Sequence, residues 1–168
     1  VVLLKNENHI LPLDKKKLHT IGVIGPNADS RKALVGNYEG TSSRYITVLE
    51  GIEDYVGENV RVLYSEGCHL YRDRTSNLAM EHDRDSEVRA VCEASDVVIA
   101  VVGLDATLEG EEGDTGNEYG SGDKPNLNLP GLQPDIIRIA KESGKPVIVV
   151  LLAGSATVSY THLTLPTI

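Results

Sequence analysis

Phenylalanine and tryptophan are absent from the 168 residues, methionine occurs once and cysteine twice. The core must therefore be built from aliphatic side chains. An aromatic platform for a ligand must come from the seven tyrosines or from another domain. The two cysteines, Cys68 and Cys92, show neither CxxC spacing nor a histidine pairing that suggests a metal; they read as small buried or half-buried apolar residues and settle nothing about compartment. No apolar run exceeds about eight residues, far below the ~20 needed to span a bilayer. An excess of basic charge is also missing: 16 Lys and Arg against 25 Asp and Glu give a net charge of −9. Such a surface repels phosphates and argues against nucleic acid, while neutral or cationic ligands, and plain solubility, stay open. There is no initiating Met; Val1-Val2-Leu3-Leu4 opens in mid-pattern, as expected of a chain that starts inside a longer protein.

What is present is a repeating strand and helix pattern. Three β-branched runs stand out: His19–Ile24, Asp96–Val102 and Pro146–Leu152. Their continuous apolarity predicts strands buried on both faces, as in a parallel sheet covered by helices. A fourth run, Asn59–Tyr64, alternates and belongs nearer an edge. Helical spacing appears over Thr47–Val56, over Asp85–Ala94 with Asp85 and Ser86 as cap candidates, and over Leu132–Glu142 after the Pro130-Gly131 turn. The alternation predicts an α/β chain, an open three-layer αβα sandwich with a mostly parallel sheet and right-handed crossovers. Lys15-Lys16-Lys17 reads as a solvated turn.

Ligands of open α/β sheets bind beyond the carboxyl ends of the strands. The segments at that end are 25–37, 65–83, 103–131 and the stretch after Leu152. The third is long, acidic and rich in glycine, and a long loop in a compact domain is usually functional or disordered. It carries Asp105, Glu109, Glu111, Glu112, Asp114 and Asp123. Carboxylates that crowd together repel, so one of them can keep a proton near neutrality and act as a general acid. The same composition also fits a solvated acidic loop or a calcium loop, although the ligand spacing is not that of an EF-hand. A dinucleotide site is disfavoured: the first strand leads into Gly25-Pro26-Asn27-Ala28, with no GxGxxG to admit a pyrophosphate.

Five landmarks occur in one order. They are Val2-Leu3-Leu4-Lys5-Asn6-Glu7 with Leu11-Pro12-Leu13; Ile24-Gly25-Pro26-Asn27-Ala28; Gly36-Asn37-Tyr38-Glu39-Gly40 with Thr47-Val48-Leu49-Glu50-Gly51-Ile52; Val101-Val102-Gly103-Leu104-Asp105 with Glu109-Gly110-Glu111; and Leu127-Asn128-Leu129-Pro130-Gly131-Leu132-Gln133. Together they resemble the second, α/β-sandwich domain of family 3 glycoside hydrolases, over residues 1 to about 156. Asp123-Lys124 stands where that family carries an Asp-Arg pair, with Lys in place of Arg, and residues 112–122 look like an insertion.

The resemblance implies a retaining exo-β-glycosidase acting on terminal β-D-glucosides or β-D-xylosides. In it a barrel domain outside this chain supplies the nucleophile, and this domain lends the loop with the acid/base. By resemblance Glu109 is the first candidate for that acid/base, Glu111 the second and Glu112 the third. Asp105, Glu112, Asp123 and Lys124 belong to the substrate loop, Asp123 as a positioning residue or a turn residue before Pro125. No metal and no cofactor is implied; the expected partners are a β-linked oligosaccharide and the barrel domain. Residues 1–18 are expected as a linker from that barrel, 19–156 as the sandwich, incomplete at its C-terminal end, and 157–168 as an atypical tail. A non-catalytic carbohydrate-binding or structural α/β module is the alternative reading.

Overall fold

A computed structural model describes residues 1–36, 39–73, 76–109, 124 and 126–157. Four strands, β1 (Thr20–Ile24), β2 (Arg61–Ser65), β3 (Val97–Gly103) and β4 (Val147–Leu152), form one sheet in the order β2-β1-β3-β4. Every neighbouring pair is parallel: Ile21 lies opposite Val62 and Val97, and Val98 opposite Val147. Three helices, α1 (Val48–Val56), α2 (Asp85–Glu93) and α3 (Gln133–Glu142), connect successive strands. The sheet is open, and the predicted α/β sandwich is the fold observed.

The continuous apolar run of β3 has a simple cause. Val98, Ala100 and Val102 point to one face, where Val88 and Cys92 of α2 and Ile136, Ile137, Ile139 and Ala140 of α3 cover them. Val97, Ile99 and Val101 point to the other face, against Leu49 and Val56 of α1. A strand covered on both faces needs apolar side chains at every position. Fully burying each such Val or Ile contributes about 1.5–3 kcal/mol of transfer free energy. Gly22 of β1 lets α2 come close, because a Cβ there would stand 3.0 Å from Val91 Cγ1 and 2.6 Å from Ser95 Oγ. Cys68 and Cys92 are buried in the α2–α3 layer as free thiols.

Two expectations need correction. β4 carries a run as apolar as that of β3, yet all six of its residues are half-buried, because β4 is a margin of the sheet among the described residues. Apolar continuity reports which faces a strand can cover, not how many neighbours it has. At α2 neither Asp85 nor Ser86 caps the helix: the capping position is Arg84, with no side-chain bond. Asp85 and Glu87 lie instead in the first turn, where a negative charge favours the helix N-terminus. Thr47 does cap α1, its Oγ1 accepting from the Glu50 N–H at 3.2 Å. The Lys15–Lys17 turn is exposed, with Lys15 Nζ 4.3 Å from the Tyr55 ring centre and donating to the Tyr55 carbonyl at the end of α1.

Candidate active site

The chain leaves β1 for β2 on one side, and β3 returns on the other side of β1. The carboxyl ends of β1 and β3 are therefore the point where successive connections diverge, the place where open α/β sheets bind their ligands. A glycine, Gly25, directly follows β1, and another, Gly103, ends β3. A Cβ on Gly25 (φ 118°) would stand 2.1 Å from the Val101 carbonyl oxygen, and one on Gly103 (φ 140°) 1.9 Å from that of Leu152. Beyond Gly25, Asn27 is buried and donates from Nδ2 to the Leu104 carbonyl at 2.9 Å, tying the first connection to the third.

The third connection begins with a tight turn. Asp105, 8 % exposed, accepts on Oδ1 from the Thr107 N–H at 2.9 Å and from the Thr107 hydroxyl. Its carbonyl accepts from the N–H groups of Leu108 (3.0 Å) and Glu109 (3.1 Å), a turn that sends Leu104 and Leu108 into the interior. Asp105 is thus a turn-forming residue in this structure, its side chain directed at Thr107 two residues on. Glu109 follows, and its carboxylate reaches the segment after β4. Oε1 accepts from the N–H of Gly154 (2.9 Å) and of Ser155 (2.7 Å) and from the Ser155 hydroxyl (2.7 Å), while Oε2 accepts from the Gly154 N–H at 3.0 Å. Lys124, at the other end of the connection, donates from Nζ to the Ala156 carbonyl at 3.0 Å and to Thr157 Oγ1 at 3.4 Å. Glu111, Glu112 and Asp123 lie outside the described residues.

Sequence reasoning missed the residue that holds these connections together. Gln133, fully buried at the start of α3, accepts on Oε1 from the Gly103 N–H at 2.7 Å. Its Nε2 donates to the carbonyls of Gly103 (2.8 Å) and Leu70 (2.7 Å). One amide thereby joins the second connection, the end of β3 and α3. The available signal was the position of a glutamine at the first turn of a helix whose other inward residues are aliphatic. In the second connection, His69 Nδ1 accepts from the N–H groups of Tyr71 (3.3 Å) and Arg72 (3.2 Å), and Arg84 pairs with Glu66. That ion pair raises Arg84 further above its ordinary value, chiefly through the hydrogen bond to Glu66. Burial is the main cause that pushes the nearby Cys68 thiol up to about 12, with the Glu66 charge adding to it. Among the described residues no three His, Cys, Asp or Glu side chains gather into a metal site.

The model of the glycosyl hydrolase family 3 C-terminal domain matches residues 1–164. The chain belongs to that family. A β-xylosidase of Formosa agariphila is 33 % identical over 175 residues, which cover 100 % of this chain and 22 % of the relative. A periplasmic β-glucosidase of Salmonella typhimurium is 35 % identical over 92 % of this chain and 21 % of its own length. Among solved structures, a β-glucosidase of Erythrobacter marinus superposes with a TM-score of 0.71 at 26 % identity, over 89 % of this chain and 22 % of that one. The chain thus spans about a fifth of the proteins it matches, which are glycoside hydrolases.

Proposed function

We propose that this chain is the second domain of a retaining exo-β-glycosidase for terminal β-D-glucosides or β-D-xylosides, and that it lends a barrel domain the loop with the acid/base. One observation carries the reading. The acidic connection after β3 leaves the carboxyl end of the sheet beside the diverging β1 and β3 segments, where open α/β sheets present their ligands. The names of the family relatives, β-xylosidase and β-glucosidase, support the substrate class.

In this reading a loop carboxylic acid protonates the glycosidic oxygen as that bond breaks, while a barrel carboxylate attacks the anomeric carbon from the opposite face. The deprotonated acid then takes a proton from water, which opens the covalent glycosyl-enzyme with net retention. The two carboxyl groups must stand about 5–5.5 Å apart for this outcome. Glu109, Glu111 and Glu112 are the loop carboxylates in reach of that role by sequence, and Asp123 helps to place them.

The test is a comparison of the 168-residue chain with the full-length protein that contains it, on aryl β-glucosides and β-xylosides. Turnover is expected only for the full-length protein, with the β-anomer as first product by proton NMR. An α-anomer as first product, or no turnover of either substrate, overturns the reading. Sugar binding without turnover in both forms would place the chain with non-catalytic carbohydrate-binding modules.

A further inference from the structure

The connection between β3 and α3 is attached at two points to the same short segment, and the attachments are of opposite kind. Near its start, the Glu109 carboxylate takes three donors, the N–H groups of Gly154 and Ser155 and the Ser155 hydroxyl, all within 3.0 Å. Near its end, the Lys124 ammonium binds two acceptors, the Ala156 carbonyl and Thr157 Oγ1. The four receiving residues are consecutive. They follow β4 after Ala153, and the end of β4 is joined to the start of the connection by the bond from the Leu104 N–H to the Leu152 carbonyl at 2.8 Å. We infer that Glu109 and Lys124 are a pair of positioning residues that fix both ends of the acidic connection to Gly154–Thr157, and that Glu109 serves as an anchor and not as the proton donor.

The chemistry of the bonds favours this assignment. A general acid needs an oxygen whose proton is aimed at the leaving group. Both oxygens of Glu109 instead accept from donors of its own chain, and charge-assisted bonds of this kind are the strong ones. Gly154 allows the approach, because a Cβ there would already stand 3.3 Å from Glu109 Oε2. Lys124 meets two neutral oxygens, which an ammonium or a guanidinium can both serve.

The part of this inference that concerns turnover rests on the glycosidase reading above, so the test has two arms. In the 168-residue chain, hydrogen exchange reads the anchor itself. The Gly154 and Ser155 amides belong to exposed residues, yet they should be protected. Glu109→Ala should abolish that protection while the β3 amides keep theirs, and Glu109→Gln, which retains an acceptor, should keep part of it. In the full-length protein, Glu109→Gln and Lys124→Met should lower kcat with little change in KM, by up to about 10²-fold, the cost of a small misplacement of a reacting group. The loss should be equal for good and poor leaving groups and insensitive to azide, and Lys124→Arg should restore the rate. Ser155→Ala should lower kcat in the wild type and add little in Glu109→Gln, since both remove the same contact. Unprotected Gly154 and Ser155 amides in the wild type overturn the anchor. Azide rescue of Glu109→Ala, with a loss confined to poor leaving groups, overturns the positioning role and makes Glu109 the proton donor. A full-length protein without glycosidase activity defeats the functional reading, while the exchange arm still decides the anchor.

Discussion

Gln133 and Gly103 exchange a pair of hydrogen bonds across the interior: the glutamine Oε1 accepts from the glycine N–H at 2.7 Å, and its Nε2 donates to the glycine carbonyl at 2.8 Å. The pairing resembles one rung of a β-ladder, with a side-chain amide standing in for a neighbouring strand. The same Nε2 also reaches the Leu70 carbonyl at 2.7 Å, so the amide satisfies three backbone groups at the end of the sheet.

Replacing Gln133 should therefore cost more than its size alone implies. In Gln133→Leu the volume is nearly kept, but the Gly103 N–H and two carbonyls lose their partner, at about 1–3 kcal/mol for a buried group left unsatisfied. A loss of several kcal/mol is expected in urea unfolding. Gln133→Glu should also destabilise at neutral pH, because a carboxylate cannot donate to the carbonyls of Gly103 and Leu70. Equal stability of wild type and Gln133→Leu would show that water or a backbone shift replaces the amide.

Gly103 gives a second prediction, with a control in the same chain. Its φ of 140° and the 1.9 Å separation from the Leu152 oxygen mean that an added Cβ meets rigid backbone of β4. Gly57 also has a positive φ, 61°, but nothing lies within 4 Å of its added Cβ. Gly57→Ala should cost about 1–3 kcal/mol, the penalty of a backbone region (φ 61°, ψ −152°) that essentially only glycine adopts. Gly103→Ala should cost more than about 4 kcal/mol or fail to fold, the range reserved for core clashes and strain. Similar melting temperatures for the two variants would contradict the close packing of β3 on β4.

Much of this architecture was legible in the sequence, and the failures have specific causes. The four strands fall within a residue or two of the runs read from the sequence; for β1 and β3 this is because a strand covered on two faces has no polar position to blur its limits. The alternating run at β2 correctly marked a margin of the sheet, with Arg61 and Tyr64 exposed. β4 misled the reading, since its apolar content is set by the faces it covers while its half-burial is set by strand order, which is a non-local property. The caps were not legible: Thr47 caps α1 without having been singled out, and Asp85 does not cap α2, because its neighbour Arg84 takes the capping position. At the site, the acidic connection was visible from composition, but the engagement of Glu109 was not. Its partners, Gly154 and Ser155, are about 45 residues away and offer chiefly backbone N–H groups, which leave no side-chain signature.

The thiols predict a pH dependence. Burial pushes Cys68 up to about 12 and Cys92 up to about 11, in both cases the largest cause, with the neighbouring charges of Glu66 and Glu93 acting in the same direction. The folded state thus favours the protonated thiol. Stability from these two groups is fully present below the ordinary thiol value and is lost as pH rises toward about 11 to 12. Unfolding midpoints should fall between neutral and strongly alkaline pH, and a Cys68→Ala, Cys92→Ala double variant should show a shallower fall. Native protein should also react with a thiol reagent at mildly alkaline pH only as fast as it opens. Immediate labelling of either cysteine in the folded chain would contradict the burial.

The last prediction concerns the proton donor, and it follows from the anchoring of Glu109. With that carboxylate held by Gly154 and Ser155, the next carboxylate along the connection, Glu111, is proposed as the acid/base of the full-length enzyme. Removal of a positioned proton donor costs roughly 10²–10⁴-fold. Glu111→Ala should show that loss on alkyl glycosides, whose leaving oxygen needs the proton. Activated aryl glycosides should form the glycosyl-enzyme almost normally, because their leaving groups depart as anions. Hydrolysis of that intermediate then lacks its base, so it should accumulate as an initial burst. Azide needs no base and should restore turnover, yielding the β-glycosyl azide if the mechanism retains configuration. Glu112→Ala should show neither effect. If Glu112→Ala shows both and Glu111→Ala neither, the donor lies one residue further on. If no variant of the connection shows them, the proton comes from outside this domain, and the anchored connection shapes the site without taking part in the chemistry.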